Sequence, residues 1–251
     1  MSLPMPPSGD LPPPPPPTFV PYGQPEFAGT LKPIGSLSRT LWTMLLVLIP
    51  LQALAIADSW SLVGTARDYL AGRIDDTQFE DASGGGLGTI AGFLIIPIGV
   101  ITILWMQRMA QNLRTLGRRG ITWGPGWAIG GWFTPPFVLY AVPWLMFREL
   151  WKASAPDIAP GDTSWKQGKV PPIVNVWWVL YGLVPILGIV SSAGTVLNLT
   201  TSDDYVEVAK NIDRFASLNI ALAVVGVVTT GVYSVLVRQW SARHMRCTHE
   251  G

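Results

Sequence analysis

Four long stretches without a charged residue constrain this chain more than any other feature of its sequence. The longest covers the 33 residues from Val170 to Ser202, and others cover 82–107, 120–147 and 215–237. About 20 apolar residues in a helix span the roughly 30 Å core of a bilayer. Because lipid offers the backbone no hydrogen-bond partners, spanning segments must be helices or closed barrels. The sequence therefore predicts an all-α integral membrane protein with several transmembrane helices.

The composition excludes several other classes of protein. Charged residues make up 13% of the chain, against about 25% in a typical soluble domain. A net charge of +1 is not typical of a nucleic-acid binder, and a single cysteine permits no multi-cysteine metal site. The sequence contains no phosphate-loop, serine-hydrolase or paired-histidine metalloprotease motif. We predict a non-enzymatic protein with no nucleic-acid partner, catalytic residue, cofactor or metal.

Three potential metal ligands lie near the C-terminus, in the short tail that covers residues 246–251 and just before it. His244, Cys247 and His249 have the ligand types that a soft metal prefers. However, the last residues of a chain are commonly poorly ordered. We therefore expect a frayed terminus at this position and no metal site.

Residues 1–35 form a proline-rich tail. Twelve of the 23 prolines lie within residues 1–33, including the unbroken run from Pro12 to Pro17. Proline removes a backbone donor and fixes φ, so the run favours a solvated polyproline II rod. Few aliphatic residues accompany it, which predicts disorder. The tail is either a spacer, which its composition favours, or a docking arm for a protein partner with an aromatic groove.

Five hydrophobic runs occupy the predicted membrane domain, residues 36–245. One of them, Trp127–Phe147, contains Pro135–Pro136 and Pro143, which divide it into pieces too short to cross a bilayer. This run is either a kinked fifth span or an interfacial or re-entrant hairpin covering about 123–152. The other four runs predict plain spans at about 40–57, 87–106, 173–197 and 216–237.

The distribution of basic residues favours the hairpin. Lys and Arg concentrate in cytoplasmic segments, and residues 107–172 carry eight basic and three acidic residues. If the hairpin does not cross, this segment and both termini share one side, with 13 basic residues there and 4 on the other. The acidic segments 58–86 and 198–215 then lie outside. We predict four spans in the plasma membrane, with cytoplasmic N- and C-termini.

This topology implies two parallel hairpin repeats. Each half consists of a span, an acidic and partly helical outer segment, a second span and a basic extension. Such repeats occur in transporters, so a small channel or transporter is the alternative function. No ionisable residue lies within the predicted spans, which weighs against a proton-coupled pump. Small residues spaced four apart permit close helix packing within the chain or in a homo-oligomer.

Tryptophan concentrates around the hairpin. Nine of the 12 tryptophans lie between Trp105 and Trp178. Tryptophan prefers the membrane interface, where its ring is buried while its N–H stays hydrated. The cluster is either an aromatic belt at headgroup depth, which is the more common arrangement, or the wall of a pocket for an apolar ligand.

The densest basic cluster lies beside these tryptophans. Each basic residue near an anionic lipid surface contributes about 1 kcal/mol, so the cluster either only sets topology or also binds headgroups. Helical spacing places Arg108, Asn112 and Arg119 on one face, which predicts an amphipathic helix along the cytoplasmic surface. We expect Glu149 to be a structural counter-charge. The candidate platform for anionic lipid or a partner comprises Arg108, Asn112, Arg114, Arg118, Arg119, Trp123, Trp127, Trp132, Arg148, Glu149, Trp151 and Lys152.

Two motifs resemble a known family. WMQRMAQNLRTLG (Trp105–Gly117) and WGPGWAIGGWFTPPFVLYAVPWLMFRELWKAS (Trp123–Ser154) are similar to an actinobacterial membrane family, domain of unknown function 4328. The resemblance covers roughly residues 36–245. Pro136 and the following Phe137-Val138 depart from the Ile/Val-Ala-Asn stretch expected there. The family has no assigned activity, so the resemblance implies none.

Overall fold

The computed structural model describes residues 29–83, 87–133, 136–182 and 204–250. Within these residues the chain is helical and contains no strand. Two short 3-10 turns, Gly131–Phe133 and Ser164–Gln167, lie among the helices. The helices are α1 (Gly35–Leu70), α2 (Asp76–Ser83), α3 (Leu87–Thr115), α4 (Trp127–Gly130), α5 (Pro136–Ala153), α6 (172 to 182, where the described stretch ends) and α7 (Tyr205–Thr248).

Three of these helices, α1, α3 and α7, are long and apolar enough to cross a membrane. Helix α1 packs along α7 and against α3. Large apolar side chains point outward from the bundle, including Phe93 at 69% exposure and Ile96 at 67%. An outward apolar surface on long helices is costly in water and favourable in lipid. The three helices therefore indicate a membrane-associated protein.

The predicted fourth span, 173–197, is described only in part. Its first residues belong to α6, and residues 183–197 lie outside the described part of the chain. Four spans and two parallel repeats therefore stay predictions. The proline-rich residues 1–28 also lie outside the described part.

One end of the bundle, which we call the acidic end, combines the end of α1, α2 and the start of α7. Phe79 of α2 is fully buried there. Its ring stacks on Tyr69 at 4.7 Å and meets Tyr205 edge-on at 6.1 Å. Arg67 Nε lies 2.6 Å from Asp213 Oδ1 and links α1 to α7. The described parts of the outer segments are thus the end of α1, the short helix α2 and the start of α7, packed around one aromatic side chain.

The opposite end, which we call the basic end, combines the start of α1 with the ends of α3 and α7. Trp105 Nε1 donates to the hydroxyls of Ser38 and Ser241, both at 3.1 Å. One indole therefore links all three long helices. Around it the main core is filled by large apolar side chains from α3, α5, α6 and α7.

The predicted amphipathic surface helix is wrong in two respects. Helix α3 continues without a break from the apolar stretch to Thr115, and both Asn112 and Leu113 are buried. Gly117 then adopts a left-handed φ of 66°, and the N–H of Arg118 donates to Leu113 O at 3.0 Å. This glycine-dependent cap ends the helix. Arg119 therefore lies beyond α3 and does not share a helical face with Arg108.

The proline-interrupted run folds back on itself. Helix α4 and the following 3-10 turn form one arm of this run, and α5 forms the other. Arg118 Nε, before the run, donates to Ala153 O, after it, at 3.2 Å. A Cβ at Gly131 would lie 2.9 Å from Val142 Cγ1, so the two arms are in close contact. The run therefore begins and ends at the same end of the bundle.

Candidate functional site

The platform residues belong to the basic end, except Trp132, which lies on the hairpin beside the long helices. Their exposure differs greatly. This difference decides which side chains reach a ligand outside the protein. Arg114, Arg119 and Trp127 are exposed; Arg108, Trp123, Trp132, Arg148, Glu149, Trp151 and Lys152 are half-buried; and Asn112 and Arg118 are buried.

Arg118 is an internal cross-link. Its Nη2 donates to Ala155 O at 2.8 Å, and its Nη1 donates to the carbonyls of Ile158 and Ala159. The same Nη2 lies 3.3 Å from Cys247 Sγ of α7. A guanidinium presents five donors in a fixed fork, and here they hold the loop after α5 against α3 and α7. Arg118 is therefore occupied by the fold and is not available to a headgroup.

Three other arginines keep their charge accessible. The Arg148 guanidinium lies 4.5 Å from the centre of the Trp144 ring, a cation–π contact. Arg119 uses only its backbone oxygen, which accepts from Trp165 Nε1 at 3.1 Å. Arg114 lies against Gly124, where an added Cβ would fall within 2.1 Å of its Nη2. Arg114 and Arg119 are exposed at the surface, and the half-buried Arg148 is held against the Trp144 ring.

Glu149 caps a loop instead of balancing an arginine. Its carboxylate accepts the N–H of Thr122 at 2.9 Å and that of Trp123 at 2.8 Å. In the part of the chain that the structure describes, the ion pairs are Arg67–Asp213 and Arg73–Asp68, both at the acidic end. The positive charge of the basic end is therefore not neutralised by a contacting carboxylate among the described residues.

A buried polar network joins the N-terminal segment to α3, α5 and α7. Lys32 N donates to Asn112 Oδ1 at 2.8 Å. A backbone N–H can only donate, so this bond fixes the orientation of the amide. Asn112 Nδ2 then donates to Lys32 O at 2.8 Å and to His244 Nε2 at 3.3 Å. His244 Nδ1 must carry the proton, and it donates to Ser154 Oγ at 2.9 Å.

The network requires a neutral imidazole. If His244 Nε2 carried a proton, it would point at the amide N–H of Asn112, and two donors cannot form a hydrogen bond. The charged ring therefore loses that hydrogen bond. His244 is fully buried and lies beyond the apolar stretch 216–237. Burial, with a smaller contribution from the Arg118 charge, lowers the pKa of His244 from 6.5 to about 4. This side chain therefore stays neutral at physiological pH.

The C-terminal residues are ordered by these contacts, so the expected frayed terminus is wrong. Helix α7 continues to Thr248, and both His244 and Cys247 are buried. Glu250 accepts the N–H of Ile34 at 2.9 Å and that of Gly35 at 2.7 Å. A carboxylate is favourable at a helix N-terminus, so the last residues of the chain stabilise the start of α1.

Sequence reasoning missed this network for a physical reason. Asn112, Ser154, His244 and Glu250 lie far apart in the chain and do not form a motif with fixed spacing. The available signal was that two of them, Asn112 and His244, fall inside helical, partly apolar segments, where an unpaired polar side chain is costly. No group of three or more His, Cys, Asp or Glu residues in the described ranges is arranged to hold a metal.

Comparison with known proteins gives a family and no relative of known function. The model of a family described as a domain of unknown function, DUF4328, matches residues 70–242. No curated protein matches the chain, and no solved structure matches it. The matched region runs from the end of α1 into α7 and includes the hairpin and most of the basic end. The resemblance seen in the motifs is confirmed, and the chain belongs to the DUF4328 family of unknown function.

Proposed function

We propose that this chain is a non-enzymatic protein of the plasma membrane whose basic end binds the headgroups of anionic lipids. The observation that carries the proposal is the set of accessible guanidinium groups, Arg114, Arg119 and Arg148, with no carboxylate in contact among the described residues. Each such group contributes about 1 kcal/mol to attraction by an anionic leaflet.

The tryptophans support a location at headgroup depth. Trp127 is 45% exposed and meets Trp123 edge-on at 5.3 Å. Phe133, at the tip of the first hairpin arm, is 78% exposed. An amphipathic ring beside exposed apolar residues favours the boundary between headgroups and acyl chains. The guanidinium groups of the basic end would then lie next to lipid phosphates.

The orientation of the protein is part of the proposal. Residues 107–172 and 238–251 carry the largest excess of basic charge, and the fold brings both to the basic end. Basic residues favour the cytoplasmic side, where anionic lipids attract them. We therefore place the basic end, with the N- and C-termini, in the cytoplasm.

Competitive lipid retention tests the proposal. The purified protein is equilibrated with micelles that contain phosphatidylglycerol and phosphatidylcholine in equal amounts, and retained lipids are counted by native mass spectrometry. We expect the wild type to retain phosphatidylglycerol preferentially. In the variant Arg114→Gln/Arg119→Gln/Arg148→Gln, the preference for phosphatidylglycerol should be at least about tenfold weaker. Three guanidinium groups that each contribute about 1 kcal/mol are removed.

The control removes the same number of charges from the acidic end. The variant Arg73→Gln/Lys210→Gln/Arg214→Gln should keep the wild-type preference. Arg118 is left intact because its substitution would disturb the fold and confuse the readout. Equal lipid preference in the wild type and the basic-end variant would exclude headgroup binding and would favour a protein partner for this surface.

A further inference from the structure

A cavity of about 280 Å³ lies between α1, α3, α6 and α7. It lies among the apolar stretches of the long helices, so it is within the membrane-spanning part of the bundle. Leu45, Leu48, Ile95, Ile98 and Ile103 supply aliphatic walls. Its size is near the lower end of small-molecule pockets, which measure roughly 300–1,000 Å³. A whole phospholipid does not fit, whereas one chain or one ring system does.

One wall of the cavity is a rigid aromatic stack. Trp177 stacks on Phe147 at 4.5 Å, on Tyr181 at 5.1 Å and on Tyr233 at 5.2 Å. These rings come from α5, α6 and α7. Because stacked rings have few alternative rotamers, the wall keeps its shape without a ligand. The cavity is therefore preformed.

The polar groups in the lining are uncharged. Gln52 Oε1 accepts from Thr230 Oγ1 at 2.9 Å, and Tyr233 Oη donates to Thr102 Oγ1 at 2.9 Å. No Asp, Glu, Lys, Arg or His is among the described residues that line the cavity. A charged ligand would lose its hydration without gaining a counter-charge. The lining therefore favours an uncharged occupant.

The hairpin supplies an unpaired hydrogen-bond donor. Trp132 lines the cavity, and its Nε1 is buried without a hydrogen-bond partner among the described residues. A buried donor without an acceptor is destabilising. The indole N–H is a donor, so a complementary ligand must present an acceptor.

We propose that this cavity binds an uncharged lipophilic molecule whose carbonyl oxygen accepts the indole N–H of Trp132. Two sources supply this chemistry. One is an acyl ester from the surrounding lipid, which suits the aliphatic walls. The other is a ring ketone of the quinone type, which suits the aromatic stack. This binding does not depend on headgroup recognition at the basic end.

Quenching of tryptophan fluorescence tests the proposal, because Trp132 and Trp177 line the cavity. The probes are methyl 9,10-dibromostearate for the acyl source and 1,4-naphthoquinone for the ring source, each titrated into the full chain in detergent. We expect saturable quenching of the wild type by at least one probe. Saturation by the ester identifies the acyl source, and saturation by the naphthoquinone identifies the ring source.

Gly99→Leu blocks the site with little risk to the fold. Gly99 lines the cavity, and a Cβ there meets no atom within 4 Å. Leucine also favours helix more than glycine does, so the variant should fold at least as stably as the wild type. We expect it to weaken probe binding by at least about tenfold, since the added side chain occupies the ligand's volume.

Gly92→Leu is the matched control, because Gly92 lies on the same helix, is exposed like Gly99 and has equal space around its Cβ, but does not line the cavity. Trp132→Phe keeps an aromatic ring but removes the N–H donor, so the midpoint of quenching should rise about fivefold. Trp60→Phe, at an exposed position outside the cavity, should leave the midpoint unchanged.

If Gly99→Leu binds each probe as tightly as Gly92→Leu does, or if neither probe saturates, the proposal is overturned.

Discussion

Single polar side chains hold the basic end together. Arg118 reaches carbonyl groups after α5, His244 joins Ser154 to Asn112, and Glu250 receives the first N–H groups of α1. Each is buried or half-buried, so its hydrogen bonds are protected from competition by water. At this scale, loss of one partner leaves others unsatisfied, and substitutions there should have large effects on stability.

Acid should destabilise the protein through His244. Its pKa in the folded protein is about 4, below the ordinary value of 6.5, so the unfolded chain binds the proton more readily. The contribution of His244 to the free energy of unfolding is fully present above pH 6.5 and is lost as the pH falls towards 4. A shift of this size corresponds to at most roughly 3 kcal/mol.

The measurement is the midpoint of thermal unfolding in detergent between pH 7.5 and 4.5. The difference between the wild type and His244→Gln should shrink as the pH falls, because the variant lacks this titration. His249→Gln, at an exposed position, should follow the wild type. Parallel curves for the wild type and His244→Gln would contradict the role of His244.

Arg118→Met should destabilise the fold by about 2–4 kcal/mol, because several buried carbonyl groups lose their donor at once. Arg119→Met is the adjacent control, since its exposed guanidinium makes no hydrogen bond that the structure shows. Chemical denaturation of both variants in the same detergent measures the difference. Similar unfolding midpoints for the two variants would show that Arg118 is not a cross-link.

At the scale of elements, the hairpin of α4 and α5 depends on close contact between its arms. Gly131 faces Val142 and Met146 of α5, and the absence of a side chain allows this approach. Trp132, the next residue, meets Tyr181 of α6 edge-on at 6.1 Å. The hairpin therefore connects the basic end to the helices around the cavity.

Gly131→Ala should separate the arms of the hairpin, because the new Cβ would lie 2.9 Å from Val142 Cγ1. Overpacking of this kind costs about 1–3 kcal/mol. Gly130→Ala is the control, since its Cβ meets no atom within 4 Å. Limited proteolysis of the segment 120–150 and the thermal midpoint should both change only for Gly131→Ala. Equal behaviour of the two variants would argue against tight contact between the arms.

At the scale of the whole molecule, the two ends of the bundle differ in charge and in construction. The acidic end is a small aromatic cluster around Phe79, and the basic end is an extended core with a buried polar network. Both ion pairs among the described residues belong to the acidic end. The basic end therefore retains its positive charge among the described residues, which supports the proposed binding of anionic headgroups.

Cysteine labelling should place residues 122 and 242 on one side of the membrane and residue 82 on the other. Cys247 is buried against Arg118, so it is replaced by serine and new cysteines are introduced one at a time. The substitutions Thr122→Cys, Ala242→Cys and Ala82→Cys are all at exposed positions. In intact cells, a membrane-impermeant maleimide should label only Ala82→Cys. Labelling of Ala242→Cys without permeabilisation would overturn the proposed orientation.

The sequence alone is enough to predict the long apolar helices of this protein. Uncharged stretches of helical length predicted α1, α3 and α7, because an apolar helix is stabilised by lipid wherever the rest of the chain lies. The motifs around Trp105 and Trp123 were enough to indicate the family. These features depend on local composition and spacing, which a sequence displays directly.

Which polar residues are internal depends on how the helices pack, and the sequence does not show it. Arg114, Arg118 and Arg119 look alike in the sequence, yet Arg118 alone of the three is buried among carbonyl groups. The pairing of His244 with Asn112 and Ser154 joins residues more than 80 positions apart. Burial and hydrogen bonding at such separations depend on how α3, α5 and α7 pack, and no local pattern encodes that packing.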